Sequence, residues 1–370
     1  MRIGIITLPL HTNYGGILQA YALQTVLERM GYDVCLIEER RRPLSLPLWK
    51  APLSYGKRIL KNIIGHPCPI FYERKVNRET PIVRQNTDKF INKYIKRRIV
   101  DSFSDLKESD FDAIVVGSDQ IWRPKYFPHI EHAFLDFAND WNIRRIAYAA
   151  SFGTDEWEYT MEQTSHCKEL ICKFDDVSVR EMSGVDMCFK HLGVKAEHVL
   201  DPTMLLSKED YIRLFEMAHT PKSKGTLLNY ILDETLEKKV IIEKIAREKG
   251  LTPFRVNSNV EDNKAKLNER VQPPLEQWLR GFYDAEFIVT DSFHACVFSI
   301  IFNKPFIAIG NVDRGLSRFY SLLTMFGLEK RIITNVTDVV ISSSIDWNRV
   351  NKILNNKILM SKNFLLNGLS

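Results

Sequence analysis

At 370 residues the chain is too long for one ordinary core and suits two domains of typical size. It is 45% hydrophobic and 26% charged, which is globular, and no apolar run approaches the roughly 20 residues of a transmembrane helix. The six cysteines include no C-x-x-C pair, which excludes a disulfide framework and a zinc site and fits free thiols in a reducing cytoplasm.

The start, MRIGIITLPL, lacks the basic region, long apolar core and cleavage site of a signal peptide. It reads as a first strand over Arg2–Thr7. A loop, HTNYGG, follows at His11–Gly16, then a helix over Ile17–Met30 closed by Gly31, then a strand over Tyr32–Ile37. This βαβ opening is that of a doubly wound domain, without the G-x-G-x-x-G of a dinucleotide site.

Residues 40–98 are the charge anomaly of the chain. They hold 16 Lys and Arg against three acids, a net of +13 in a chain whose total is +5. Their five prolines between residues 40 and 75 predict a loop-rich insertion with one short helix near Lys57–Ile64, and residues 84–98 read as helical. Basic residues interleaved with Leu, Trp, Tyr, Ile and Phe suit anionic lipid head groups or a pyrophosphate-linked substrate, and equally a solvated insertion. No nucleic-acid motif is present, so no nucleic acid is expected. The location expected is cytoplasmic, with peripheral contact at the inner face of the cell membrane through residues 40–98.

Further strands are expected at Phe111–Val116, Arg145–Ala150, Asp176–Val179 and Glu197–Leu200. From about Ser207 the alternation restarts: strands at Thr226–Ile231 and Phe254–Val256, and helices at 208–218, Glu234–Lys249 and Leu275–Tyr283. Glu286–Thr290 is then a strand, Asp291-Ser292 a helix start with two capping side chains, Ala295–Phe302 a buried helix, and Phe306–Ile309 a strand. Helices at Arg318–Phe326 and from Trp347 complete the chain. The fold class is α/β, with two Rossmann-like domains facing a cleft. Residues 1–205 form the first, with 40–98 as its basic insertion. Residues 206–345 form the second, and 346–370 a C-terminal helix that packs back on the first.

Almost every strand ends in a small or reactive cluster: Asn13–Gly16, Gly117–Trp122, Ser151–Gly153, Arg180-Glu181, Asp201–Thr203, Asp291–His294 and Gly310–Arg314. In parallel sheets such ends converge on the ligand crevice. Glycines there admit close backbone approach, Arg180 and Arg314 offer planar forks for carboxylate or phosphate, and His294 a proton near neutral pH. His294 also fits a satisfied core histidine. Together these features describe a site for a small, multiply charged anion and a polar acceptor. Metal ligation is not expected, because Asp119, Asp201 and Asp291 are dispersed and His129 and His132 lie in a Pro-bounded loop. A Ser-His-Asp reading from Ser118 or Ser151 with His294 lacks the G-x-S-x-G elbow.

The motifs NYGGILQAYALQ, FDAIVVGSDQIW, AYAASFG, VSVREMSG, VLDPTMLL and VTDSFHACVFSIIFNKPFIAI, in this order, resemble the polysaccharide pyruvyl transferase family from end to end. The resemblance implies a GT-B-like architecture and transfer of the enolpyruvyl carbons of phosphoenolpyruvate (PEP) onto two hydroxyls of a sugar. The products would be a pyruvate ketal on a capsular, exopolysaccharide or cell-wall glycan and free phosphate. No cofactor is implied beyond PEP as co-substrate, and the acceptor expected is a lipid-linked or nucleotide-linked sugar. By resemblance Arg180 grips PEP, and His294 contacts its phosphate and protonates the methylene carbon.

Many relatives carry Arg two residues before this histidine, where Ser292 stands here. Arg314 or Arg318 then replaces that charge, or the donor differs. Asn13, Gly15, Gly16, Ser118, Asp119, Gln120 and Ser151 are the candidates for acceptor or phosphate binding. Two other readings stay open: a GT-B glycosyltransferase using a nucleotide sugar, and a non-catalytic, membrane-associated component of glycan assembly.

Overall fold

A computed structural model describes residues 1–66, 68–262, 264–310, 316–334 and 344–370. Two parallel sheets organise them. The first contains β1 (Arg2–Ile6), β2 (Asp33–Glu39), β3 (Arg97–Val100), β4 (Ala113–Val116), β5 (Arg144–Ala150), β6 (Asp176–Val179) and β7 (Glu197–His198) in the order β3-β2-β1-β4-β5-β6-β7. The second contains β8 (Leu227–Tyr230), β9 (Pro253–Phe254), β10 (Phe287–Thr290), β11 (Phe306–Ile309) and β12 (Ile332–Ile333) in the order β12-β11-β10-β8-β9. Every pairing is parallel. The central strands are continuous Val, Ile and Ala runs buried on both faces, as helices on either side of a sheet require. The α/β class read from the sequence is the class observed.

Strand order reverses between β1 and β4 in the first sheet and between β8 and β10 in the second. At such switch points neighbouring loops diverge and leave a crevice. The loops after β1, β4 and β10 begin there.

One apolar core runs from sheet to sheet. Trp278 is fully buried and touches the rings of Tyr14, Tyr230, Phe282 and Phe298, the first from the N-terminal half and the others from the C-terminal half. Burying each such side chain contributes about 1.5–3 kcal/mol. The Tyr14 hydroxyl also donates to the Pro273 carbonyl at 2.7 Å. The C-terminal helix Trp347–Gly368 returns to the first sheet: Ser361 Oγ accepts from the Leu200 amide at 3.1 Å, and Phe364 meets Tyr148 at 6.2 Å between ring centroids.

Several expectations need correction. Tyr14, Gly15 and Gly16 are the first turn of helix Tyr14–Arg29 and not loop, because the Asn13 side chain caps the Gly16 amide at 3.2 Å. The insertion is mostly helical, with helices Ala51–Ile63 and Tyr72–Tyr94, the second containing Pro81. Residues expected to continue a helix as far as 98 form edge strand β3. Asp291 and Ser292 do not cap the helix Phe293–Ile301 with their side chains. The Asp291 carboxylate instead accepts from the amides of Leu232 and Asp233 and from Lys238 Nζ at 2.7, 3.1 and 2.7 Å, locking the loop after β8 to the helix entrance. Asn311 and Arg314 lie outside the described residues. No helix among the described residues is long and apolar enough to cross a membrane.

Candidate active site

Two helix N-termini meet between the sheets. Gly15 lies in the first turn of helix Tyr14–Arg29 and His294 in the first turn of helix Phe293–Ile301. A Cβ at Gly15 would overlap Nδ1 and Cγ of His294, so only glycine leaves room for the imidazole. Helix N-termini carry partial positive charge and unpaired N–H groups, which favour anions.

His294 is nearly buried, and its Nε2 has no hydrogen-bond partner among the described residues. The nearest acid is Asp201, with Oδ2 at 3.6 Å, an ion-pair distance longer than a hydrogen bond. Asp201 is fixed from its other side. Its Oδ1 accepts from the amide and hydroxyl of Thr203 at 3.0 and 2.6 Å, and its Oδ2 from Arg180 Nη1 at 2.9 Å. Burial works against the Asp201 charge, yet His294, Arg180 and the Thr203 hydroxyl outweigh it and hold the carboxyl well below the ordinary range.

Arg180 is the hub. Its Nη2 donates to Asp119 Oδ1 at 3.1 Å, its Nε stands 3.9 Å from Glu181 Oε2, and its guanidinium lies 4.5 Å from the Phe293 ring centroid. Burial lowers its affinity for the proton, but Asp119, Asp201 and Glu181 reverse that and raise its pKa. Asp119 sits at φ +63°, a left-handed conformation, with its carbonyl accepting from the amides of Ser151 and Ile121 at 3.0 and 2.7 Å. Its carboxyl is likewise buried and is held below the usual value by Arg180, His294 and Arg318. Arg318 is buried against the same Phe293 ring at 5.8 Å, and burial followed by the charge of Arg180 draws its pKa down to about 10.

The structure thus brings together Gly15, Gly16, Asp119, Arg180, His294 and Arg318 from the sequence candidates. A Cβ at Gly16 would lie 3.6 Å from Asp119 Oδ2. Asn13 caps the adjoining helix, while Ser292, in the same position at the other, makes no side-chain cap and donates its amide to Thr290 Oγ1 at 3.0 Å. Two candidates, Ser118 and Ser151, point elsewhere. The Ser118 hydroxyl donates to the Ala149 carbonyl at 2.8 Å, and the Ser151 hydroxyl to Glu181 Oε1 at 2.7 Å. Both serines are fully buried. The Gln120 carbonyl oxygen packs over Gly153. The two serines build the loops and are not free to touch a ligand. Three residues absent from the candidates belong to the cluster: Asp201, Glu181 and Phe293. Asp201 and Glu181 stand in the strand-end clusters of the sequence, which was the available signal. Phe293 gave none. Among the described residues no group of three or more His, Cys, Asp or Glu could hold a metal ion.

A sequence model of the polysaccharide pyruvyl transferase family matches residues 13–314. The chain belongs to that family. Its matched span takes in every residue of the cluster except Arg318. No curated protein sequence matches this pyruvyl transferase family member. Among solved structures it is similar to the UDP-GlcNAc 2-epimerase of Methanocaldococcus jannaschii, at 12% identity and a TM-score of 0.45 over 96% of this chain and 92% of that one. It is also similar to the UDP-GlcNAc 2-epimerase of Neisseria meningitidis bound to UDP-GlcNAc, at 9% identity and 0.46 over 98% and 93%. A third is Medicago truncatula UGT71G1 complexed with UDP-glucose, at 11% identity and 0.46 over 100% and 98%. Such distant likenesses say nothing about the substrate of this family member.

Proposed function

We propose that the protein transfers the enolpyruvyl carbons of PEP to two hydroxyls of a sugar in a surface-glycan precursor, forming a pyruvate ketal. The observation that carries the reading is His294: a buried imidazole with an unpartnered Nε2, beside an ionised Asp201, where two helix N-termini meet in a pyruvyl transferase family member.

In this mechanism protonated His294 gives its Nε2 proton to the PEP methylene carbon. The neighbouring carbon becomes electrophilic, and one sugar hydroxyl adds to it, its proton passing to a phosphate oxygen. The carbon–oxygen bond to phosphate breaks and hydrogen phosphate leaves with that proton. The second hydroxyl closes the ketal, and its proton restores the histidine. Asp201, with Oδ2 3.6 Å from that same Nε2, stabilises the imidazolium by its charge. The helix N–H groups and Arg318 bear the negative charge of the departing phosphate, and Arg318 supplies the cation that Ser292 does not. One such preorganised donor contributes about 3–4 kcal/mol to a transition state.

Arg180 has a different part from the one the family resemblance implied. Both of its terminal nitrogens are engaged by carboxylates, so we assign it to holding Asp201 and Asp119 in place and not to gripping PEP. The acceptor approaches from a cavity of about 260 Å3 lined by Tyr230, Asn257, Ser258 and Gln272 among others. It abuts the N-terminal loop, since Gln272 Nε2 donates to the Thr12 carbonyl at 3.0 Å.

The test is an acceptor screen with PEP, read as phosphate release together with a mass gain on the glycan. Turnover of a UDP- or GDP-sugar with PEP untouched would replace this reading with that of a glycosyltransferase. No phosphate release on any acceptor would leave a non-catalytic component.

A further inference from the structure

Helix Ala51–Ile63 buries none of its residues, although it is rich in large apolar side chains. At 100° per residue, Trp49, Leu53, Leu60, Ile63 and Ile64 fall on one face. That face points to solvent: Trp49 is 77% exposed, Leu53 80% and Ile63 75%. Lys50, Lys57 and Lys61 are exposed along one border of it. The opposite face holds Tyr55, Arg58 and Asn62, which are the residues that join the rest of the fold. Arg58 pairs with Glu73 at 2.6 Å and donates to the Ile70 carbonyl at 2.9 Å, and Asn62 Nδ2 donates to the Cys68 carbonyl at 2.8 Å. A soluble helix of this kind normally turns its apolar face inward. Here the polar face is the anchored one.

We infer that helix Ala51–Ile63, with Leu48 and Trp49 before it, is a membrane-docking element that lies in the interface of an anionic bilayer. Three features favour lipid over a second copy of the chain. The apolar face is bordered by lysines, whose ammonium groups reach head-group phosphates while their stems cover acyl chains. Trp49, at the start of the helix, is of the residue type that settles at the level of the head groups. The surrounding segment 40–98 carries +13, a charge that opposes pairing with itself and is attracted to a negative surface.

The element is also mechanically coupled to the site. Glu73, the partner of Arg58, begins the 23-residue helix Tyr72–Tyr94. Further along that helix Arg84 Nη2 donates to the Leu10 carbonyl at 3.2 Å and Asn86 Nδ2 to the Gln272 carbonyl at 2.8 Å. Leu10 and Gln272 flank the loop that leads to Asn13. A docked protein therefore holds the mouth of its cleft at a fixed height above the lipid. The inference does not depend on the donor or the sugar.

The experiment is vesicle sedimentation of the full chain with phosphatidylcholine alone and with phosphatidylcholine containing phosphatidylglycerol, at low and high salt. Quenching of tryptophan fluorescence by brominated lipid is read in parallel. Wild type is expected to bind only the anionic vesicles, with quenching that W49F removes. K57E/K61E should weaken binding about fivefold per lysine at low salt, and the difference should shrink at high salt. L53E/L60E should lower the partition coefficient at least about tenfold. It should leave PEP-dependent phosphate release in solution unchanged, because neither side chain belongs to the buried core or to the site. Failure of wild type to bind anionic vesicles would overturn the inference, and so would equal binding by L53E/L60E. A wild-type dimer that L53E/L60E converts to monomer, without vesicle binding, would assign the face to a second copy instead. Since wild-type binding and Trp49 quenching are read without any glutamate variant, the result stands even if L53E/L60E folds poorly.

Discussion

Gly15 and His294 are in contact across the two halves of the protein, and the contact exists because Gly15 has no side chain. One residue begins the first helix of the N-terminal half, and the other begins the most buried helix of the C-terminal half. The imidazole is positioned by a backbone that reaches it from the opposite sheet.

Gly15→Ala separates position from stability. Alanine suits a helix better than glycine by about 1 kcal/mol, so the melting temperature should move by only a few degrees. The displaced imidazole should nevertheless lower phosphate release from PEP by on the order of 100-fold, the scale of an ångström-sized misplacement. Near-normal turnover in this variant would show that His294 does not act from the observed position.

His294→Gln keeps the volume and removes the transferable proton. It should lower phosphate release by about 100- to 10,000-fold while leaving the circular dichroism spectrum unchanged. A loss smaller than tenfold would remove His294 from the proton-transfer step.

Arg180→Met should unfold more readily than any other variant of the cluster. It leaves Asp119, Asp201 and Glu181 buried without their shared cation, and breaking such a group costs about 3–5 kcal/mol. Urea unfolding measures this. A loss below about 1 kcal/mol would show that the carboxylates reach water or take up protons at no cost.

Asp201→Asn keeps the shape and removes the charge beside Nε2 of His294. Phosphate release should fall about 100-fold, because the imidazolium has lost its counter-ion. A loss smaller than tenfold would show that the Asp201 charge does not act on the histidine.

Acid should weaken the fold partly through His11, whose Nδ1 lies 2.8 Å from Thr12 Oγ1 just before the site. Burial, helped by Arg84 and Arg41, lowers its pKa from 6.5 to about 4. The unfolded chain thus binds a proton below pH 6.5 that the folded chain refuses until pH is near 4. Stability is full above that window and falls through it as pH drops. One group gives a slope of at most about 1.4 kcal/mol per pH unit, less where solvent screens it. His11→Asn should flatten unfolding free energy against pH between 4 and 6.5. An unchanged slope would assign the acid sensitivity to other groups.

The sequence carries its clearest record of this fold where strands are buried on both faces. The runs at Ala113–Val116 and Phe287–Thr290 have no other use than the middle of a parallel sheet. Edges were harder. β3 reads Arg97-Arg98-Ile99-Val100, charged because one side faces water, and β12 is two residues long. Helix Tyr72–Tyr94 was obscured by Pro81 and by how few of its residues are buried. In the site, His294 and Arg180 were legible from their places after strands. Their relation was not. Nothing local to Arg180 says that Asp119 and Asp201 will take its two terminal nitrogens, since those contacts join residues 61 and 21 positions apart. Nor does sequence tell a serine that touches a ligand from one that ties its own loop, as Ser118 does.

The C-terminal helix Trp347–Gly368 constrains how this molecule can move. Near its start, the Arg349 guanidinium lies 3.4 Å from where a Cβ of Gly327 would be, in the second half, and its far end is seated on Leu200 and Tyr148 in the first. The polypeptide consequently joins its halves twice, once through the buried turn Pro202–Leu205 and once through this helix. Both joints are packed into the fold, and the apolar core around Trp278 lies between the same two halves. Gly15 and His294 sit across that seam, so whatever holds the halves together also holds the backbone of one against the ring of the other.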